Sequence, residues 1–439
     1  MKGLWSELRG VGVKSSSIEI LQEPKDFYNT LINLANEAKE RISLSTLYLG
    51  TGELEKKLVT SISNNKCNND KLQINILLDY LRGTRGIENS VSTLEQIHGK
   101  ANIFLYHTPD LRGLKKSILP QRANEIIGLQ HMKFYVFDNS VIISGANLSN
   151  DYFTNRQDRY ILISDCPELA DFFSDLLEAV GTCSFYVDED SSTKLHEQCL
   201  FHPFDGNPVS YKRMFYERIV GIHNKMSVIN SVKDKTVNIY PLLQMGTYGI
   251  NDFDSYLVKM FGQVGTESDL TIASGYFNLT NKYSSILTRI TDSKINIITS
   301  SPEANGFYTA KGLSKHIPAM YVQISKKFFN ESKDNVSIYE FKKPEWTFHG
   351  KGIWCEKKND DEMITIAGSS NFGERSVSRD LESQLVFVTY DEEMKKRFND
   401  EKDSMIKNCN RIDKDTFYDP DHVVPYWVTL ISKGFRHFF

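Results

Sequence analysis

The sequence predicts an α/β protein built as two mixed-sheet lobes with flanking helices. Three observations predict this: strands alternate with helices, the same strand–helix–strand order occurs twice, and each half closes on a His-x-Lys segment. A chain of 439 residues, 40% of them hydrophobic, exceeds one average domain and is long enough to bury a large core.

In the first half an apolar, strand-like run, Ile42–Leu49, leads into a helix-like stretch, Glu53–Ile62, and then a second strand, Leu72–Leu78. The second half repeats the order as Leu270–Phe277, Lys282–Ile290 and Lys294–Thr299, with Tyr48 and Tyr276 at matching places. A further strand follows in each half, Ala101–Tyr106 and Val336–Phe341, before the His-x-Lys segment. Self-similarity of this kind marks a duplicated unit. The polar, charged stretch Val187–Glu197 sets the division into lobes, residues 1–195 and 196–439.

Composition narrows the function classes. With 52 Lys and Arg against 56 Asp and Glu, a net charge of -4 supplies no global field for nucleic acid or anionic lipid, so any anion site must be local. The six cysteines, Cys67, Cys166, Cys183, Cys199, Cys355 and Cys409, form no CxxC pair, which argues against a disulfide framework or a zinc site and for a reducing compartment. Neither a calcium loop of the form D-x-[DN]-x-[DN]-G nor an HExxH occurs, so no metal and no cofactor is expected. No apolar run approaches the ~18 residues of a membrane span. The start, MKGLWSELRG, resembles neither a signal peptide nor an Arg-rich transit peptide, so an import signal is expected to lie outside the chain.

The chemistry lies in the two closing segments. The first reads His131-Met-Lys133-Phe-Tyr-Val-Phe-Asp138, then Ser144-Gly145-Ala146-Asn147. The second reads His349-Gly-Lys351-Gly-Ile-Trp-Cys-Glu356, then Gly368-Ser369-Ser370-Asn371. On a strand, residues two apart share a face, so each His and Lys can address one phosphate. The agreement continues downstream: an acid stands eleven residues beyond each Asn, Asp158 in the first half and Glu382 in the second.

This pattern resembles the HxKxxxxD signature of the phospholipase D superfamily, in which two such motifs meet across a pseudo-twofold axis to form one active site at the interface of the lobes. The resemblance implies a phospholipase-D-like pseudo-dimer with His131, Lys133 and Asp138 and His349, Lys351 and Glu356 as catalytic motifs, Asn147 and Asn371 binding phosphate, and Asp158 and Glu382 orienting the histidines. Two departures stand out: Glu356 replaces the usual Asp, and the usual Gly-Ser pair reads Ser-Gly in the first half. The motif acids are expected to organise structure rather than carry protons, and His107 is read as structural. Two lysines and a protonated imidazole can do what magnesium does elsewhere, with His131 attacking phosphorus to give a phosphatidyl-histidine and His349 serving the departing and entering groups.

The superfamily contains phospholipases, nucleases, cardiolipin synthases and phosphatidylserine synthases, so the motifs alone leave the substrate open. The segments Leu47–Glu53, Leu78–Gly86, Tyr106–Gly113, Gly145–Ser149 and Tyr152–Arg159 resemble the phosphatidylglycerophosphate synthase family. That resemblance implies CDP-diacylglycerol as donor, sn-glycerol 3-phosphate as acceptor and CMP as leaving group, in mitochondria and peripheral on the inner membrane, without nucleic acid. Arg82, Arg85 and Arg112 lie in Gly-containing loops after strands and form a candidate acceptor clamp. Two segments mix apolar or aromatic with basic residues as a headgroup boundary requires, Leu111–Pro120 and Val423–Phe439. The alternatives are a phospholipase D-type hydrolase, a phosphatidylserine synthase and, against the acidic balance, a nuclease.

Overall fold

A computed structural model describes Leu4 and residues 8–118, 124–227, 237–265, 268–357 and 361–429. Two large mixed sheets carry the fold, and their strand orders correspond. In the first, Arg41–Ser45, Gln73–Asp79 and Asn102–Tyr106 run parallel, and Phe134–Phe137 pairs antiparallel with Arg41–Ser45. Ser140–Ser144, Tyr160–Ile163 and Ile18–Leu21 follow outward in turn. In the second, Ser268–Ser274, Lys294–Ser300 and Val336–Phe341 form the parallel trio, and Lys351–Lys357, Met363–Gly368, Glu382–Thr389 and Val237–Met245 extend it antiparallel. Short antiparallel strands lie at the far edges: Phe185–Val187 and then Thr193–Leu195 in the first sheet, and Cys409–Arg411 in the second.

The strands read as near-continuous apolar runs because both faces of each sheet are covered. In Phe134–Phe137, Phe134 and Val136 face the core shared by the lobes, while Tyr135 and Phe137 face the outer core beneath helix Pro24–Glu37. Helices Pro167–Gly181 and Glu392–Ile406, one from each half, fill the space between the sheets with Leu169, Phe173, Leu176, Met394 and Phe398. The chain also crosses between sheets near its start: Val11–Val13 pairs with Val237–Ile239 of the second sheet, and Ile18–Leu21 with the first.

The strands expected to run through Leu49 and Phe277 end earlier, at Ser45 and Ser274. Gly275 explains the second ending, since a Cβ there would strike the backbone of Phe348 and His349. Chain released from the sheet at these points carries Tyr48 and Tyr276 into the cleft between the lobes.

One buried ion pair ties the lobes. Arg159, fully buried, donates to Glu401 from Nε at 2.8 Å and Nη2 at 2.7 Å, to Ile366 O at 2.7 Å and to Thr365 Oγ1 at 3.1 Å. Its guanidinium lies 3.9 Å from the centre of the Trp354 ring. Gly352, at φ +152°, has no Cβ to strike Arg159 and Ile366. Removing one partner of a buried pair leaves an uncompensated charge. Glu401→Ala is therefore expected to lower the unfolding free energy by about 3–5 kcal/mol in urea titrations, whereas Lys56→Ala, removing the partner of exposed Glu53, should change it by less than about 1 kcal/mol.

Candidate active site

His131 and His349 each immediately precede, by a few residues, the central antiparallel strand of their sheet, and both line one cleft of about 310 Å³. Each is held by the other lobe. The His131 amide donates to Leu381 O at 3.0 Å, and its Nδ1 lies 3.0 Å from Glu382 Oε1. The His349 amide donates to Gln157 O at 2.8 Å, and its Nδ1 lies 2.7 Å from Asp158 Oδ2. A short parallel pairing, Thr347–Phe348 with Arg156–Gln157, fixes the second of these contacts. The acids at matching offsets thus orient histidines across the interface, each serving the opposite motif.

Burial is the leading cause that pushes both imidazole pKa values well below the ordinary range, with Lys133 acting next on His131 and Lys351 next on His349. Neutral rings donate Nδ1–H to the carboxylates and present Nε2 to the cleft. The two Nε2 atoms differ. Among the described residues none hydrogen-bonds His131 Nε2, whereas His349 Nε2 lies 3.3 Å from the Tyr152 hydroxyl and 3.0 Å from Lys351 Nζ. Both lysines are buried behind the histidines, and Lys133 Nζ donates to His131 O at 2.7 Å.

Asn147 and Asn371 line the same cleft, and Asn371 Oδ1 is buried without a partner among the described residues. The Ser-Gly inversion of the first half has a steric cause. Ser369 Oγ donates to Glu382, while a side chain at the corresponding Gly145 would strike the Asp158 carboxylate and Lys351.

Asp138 and Glu356, included among the catalytic residues by sequence, do not line the cleft. Asp138, at φ 49° in the turn after its strand, accepts from the amides of Lys39, Glu40 and Arg41. Glu356 accepts from Asn399 Nδ2 at 3.1 Å. Both fix loops and helices at the far ends of their strands, which strand geometry requires of a residue five beyond Lys133 or Lys351.

The arginine clamp is also corrected. Arg82 lines the cleft, stacked 4.6 Å from the centre of the Tyr48 ring and bonded to Glu125 at 3.2 Å. Arg85 turns to Glu125 outside the lining, and Arg112 lies in a separate groove, donating to Gly206 O. Sequence reading missed Arg156, Arg375, Tyr152 and Tyr321, all of which line the cleft. Arg156 and Arg375 stand between an Asn and its acid in the two repeats, which was the available signal.

The family described as "Cardiolipin synthase, PLD-like domain" matches residues 31–180 and 265–406. The chain is 35% identical to the mitochondrial CDP-diacylglycerol–glycerol-3-phosphate 3-phosphatidyltransferase of Gallus gallus and 34% identical to that of Homo sapiens. Each match covers 98% of this chain and 84% of the relative. Its fold resembles the crystal structure of phosphatidylserine synthase from Haemophilus influenzae Rd KW20, with a TM-score of 0.74 at 20% identity over 98% of this chain and 95% of that one.

The electrostatics set a pH window. Burial raises the Asp158 pKa to about 6 and lowers that of Lys351 to about 8. Falling pH protonates Asp158 and removes the charge that steadies His349; rising pH neutralises Lys351. Turnover per unit substrate should follow a bell whose limbs fall below about 6 and above about 8. Lys351→Arg, with no accessible deprotonation, should remove the alkaline limb attributed to Lys351 in whatever activity it retains.

Proposed function

We infer the chemistry of this chain from its membership: it belongs to the CDP-diacylglycerol–glycerol-3-phosphate 3-phosphatidyltransferases, on a phospholipase-D-like fold. It is a transferase of phospholipid biosynthesis that forms phosphatidylglycerophosphate from CDP-diacylglycerol and sn-glycerol 3-phosphate.

The inequality of the two histidines carries the mechanism. His131 Nε2 attacks the phosphorus joined to diacylglycerol, and the bond to CMP breaks with its electron pair leaving on the CMP phosphate. Glu382, at 3.0 Å from Nδ1, counters the positive charge that develops on the ring. Lys133, Lys351, Asn147 and Asn371 stabilise the non-bridging oxygens. CMP leaves stable without a proton, so acid help matters little in this step. In the second step His349 Nε2 takes the proton of the acceptor hydroxyl as its oxygen attacks phosphorus, and the P–N bond returns its pair to His131. Asp158, at 2.7 Å, steadies the imidazolium formed on His349.

The donor is a membrane lipid, and among the described residues no helix is long and apolar enough to cross a membrane. Peripheral contact is supported by the helix Gly113–Ile118, whose Leu114 and Ile118 are exposed beside Lys115. Those residues share an apolar groove with Ile127 and Arg379, sequence neighbours of the cleft-lining Glu125, Leu129 and Asp380. In the C-terminal segment Val423, Tyr426 and Trp427 are exposed, and residues 430–439 lie outside those described. Relatives named as mitochondrial support a mitochondrial location, within which the inner membrane is the proposed site.

Purified protein given labelled CDP-diacylglycerol and sn-glycerol 3-phosphate in detergent should release CMP in step with phosphatidylglycerophosphate. His131→Ala should lower turnover by about 10³-fold or more, because a nucleophile and its base act as a unit. Phosphatidic acid as the main product with acceptor present would replace transfer by hydrolysis.

A further inference from the structure

The cleft contains three arginines, and their partners distinguish them. Arg375 is neutralised within its own loop, Nε donating to Asp380 at 2.8 Å. Arg82 shares Glu125 with Arg85. Among the described residues Arg156 has no such close carboxylate: Asp151 lies 3.5 Å away and is more than half exposed, where solvent screens it. Its Nε is taken by Thr347 Oγ1 at 2.9 Å, which fixes the plane of the guanidinium and leaves its outer nitrogens toward the cleft.

The surroundings of Arg156 are shaped to keep it there. Its Cζ lies 4.9 Å from the centre of the Tyr152 ring. Gly306 closes the other side, and a Cβ at that position would fall 2.8 Å from the Tyr276 hydroxyl and 2.9 Å from Arg156 Nη2. Tyr152 also reaches His349 Nε2 at 3.3 Å, and the Tyr276 ring packs 5.3 Å from the His349 ring. Arg156 therefore stands beside the histidine that deprotonates the acceptor, two residues from the Asp158 that orients it.

We propose that Arg156, fixed by Thr347 between Tyr152 and Gly306 and assisted by Arg82 over Tyr48, binds the phosphate of the acceptor and so selects a phosphorylated polyol over unphosphorylated alcohols and water. A guanidinium whose outer nitrogens meet, among the described residues, only the exposed Asp151, at 3.5 Å from Nη2, fits a phosphomonoester in a bidentate manner. Three carbons separate the reacting hydroxyl of glycerol 3-phosphate from its phosphate, so an anchor beside His349 places the hydroxyl at the base while the phosphate stays clear of the phosphatidyl group. The proposal rests on the transferase reading and supplies its selectivity.

The phosphate of CMP has the same chemistry, and the two half-reactions separate the sources. CMP exchange into CDP-diacylglycerol without acceptor reports the first; transfer to sn-glycerol 3-phosphate reports the second. For Arg156→Gln the Michaelis constant for sn-glycerol 3-phosphate should rise about 10- to 100-fold, the loss falling on transfer rather than on exchange. The preference for glycerol 3-phosphate over glycerol should shrink by a similar factor, and Arg156→Lys should restore part of it. Exchange lost in step with transfer would assign Arg156 to the CMP phosphate or to folding, and an unchanged acceptor preference would remove it from recognition; either result overturns the proposal. Wild-type protein that exchanges CMP yet never transfers to glycerol 3-phosphate would instead overturn the transferase reading beneath it.

Discussion

Each reactive histidine is held by the lobe that does not contribute it, and this crossed hold is the constraint on which the rest depends. His131 is fixed through its amide to Leu381 and through its ring to Glu382, adjacent residues of the second half. His349 is fixed in the same way to Gln157 and Asp158 of the first. Neither half alone can set a tautomer or aim an Nε2, so the site exists only when the lobes dock. The docking is correspondingly strong: one core spans the inner faces of both sheets, and a fully buried Arg159–Glu401 pair crosses it. Because Arg159 follows Asp158 directly, the residue that locks the lobes also places the carboxylate that orients His349.

The cost of this arrangement is electrostatic. Two imidazoles, two lysines and two carboxylates are withdrawn from water, and burial shifts all six toward their neutral forms. An anionic phosphate entering the cleft reverses that pressure by favouring the cationic forms of the lysines around it. The site is thus poised to gain charge complementarity on binding substrate.

Duplication gave two equivalent motifs, and small packing differences made them unequal. Ser369 can bond Glu382, but a side chain at Gly145 has no room beside Asp158. Tyr152 reaches His349 Nε2, while no described residue bonds that of His131. The arginines are less symmetric still, since Arg375 donates to Asp380 at 2.8 Å whereas Arg156 stands 3.5 Å from an exposed Asp151. The His131 Nε2 is left without a bond among the described residues, and the His349 Nε2 meets a hydroxyl and an amine.

The sequence by itself determined the repeated sheet order, the two motifs and the acids at equal offsets, because strand alternation and duplication are written in local periodicity. It also contained the matched Tyr48 and Tyr276 without showing that their strands end early. Only the tertiary structure decided which acid serves which histidine, since that pairing joins residues 251 and 191 positions apart. It likewise placed Asp138 and Glu356 away from the cleft, and Arg156, rather than Arg85 or Arg112, in its lining. A motif fixes which side chains share a strand face, but the opposite wall of a cleft comes from distant chain, and local pattern carries no record of that distance.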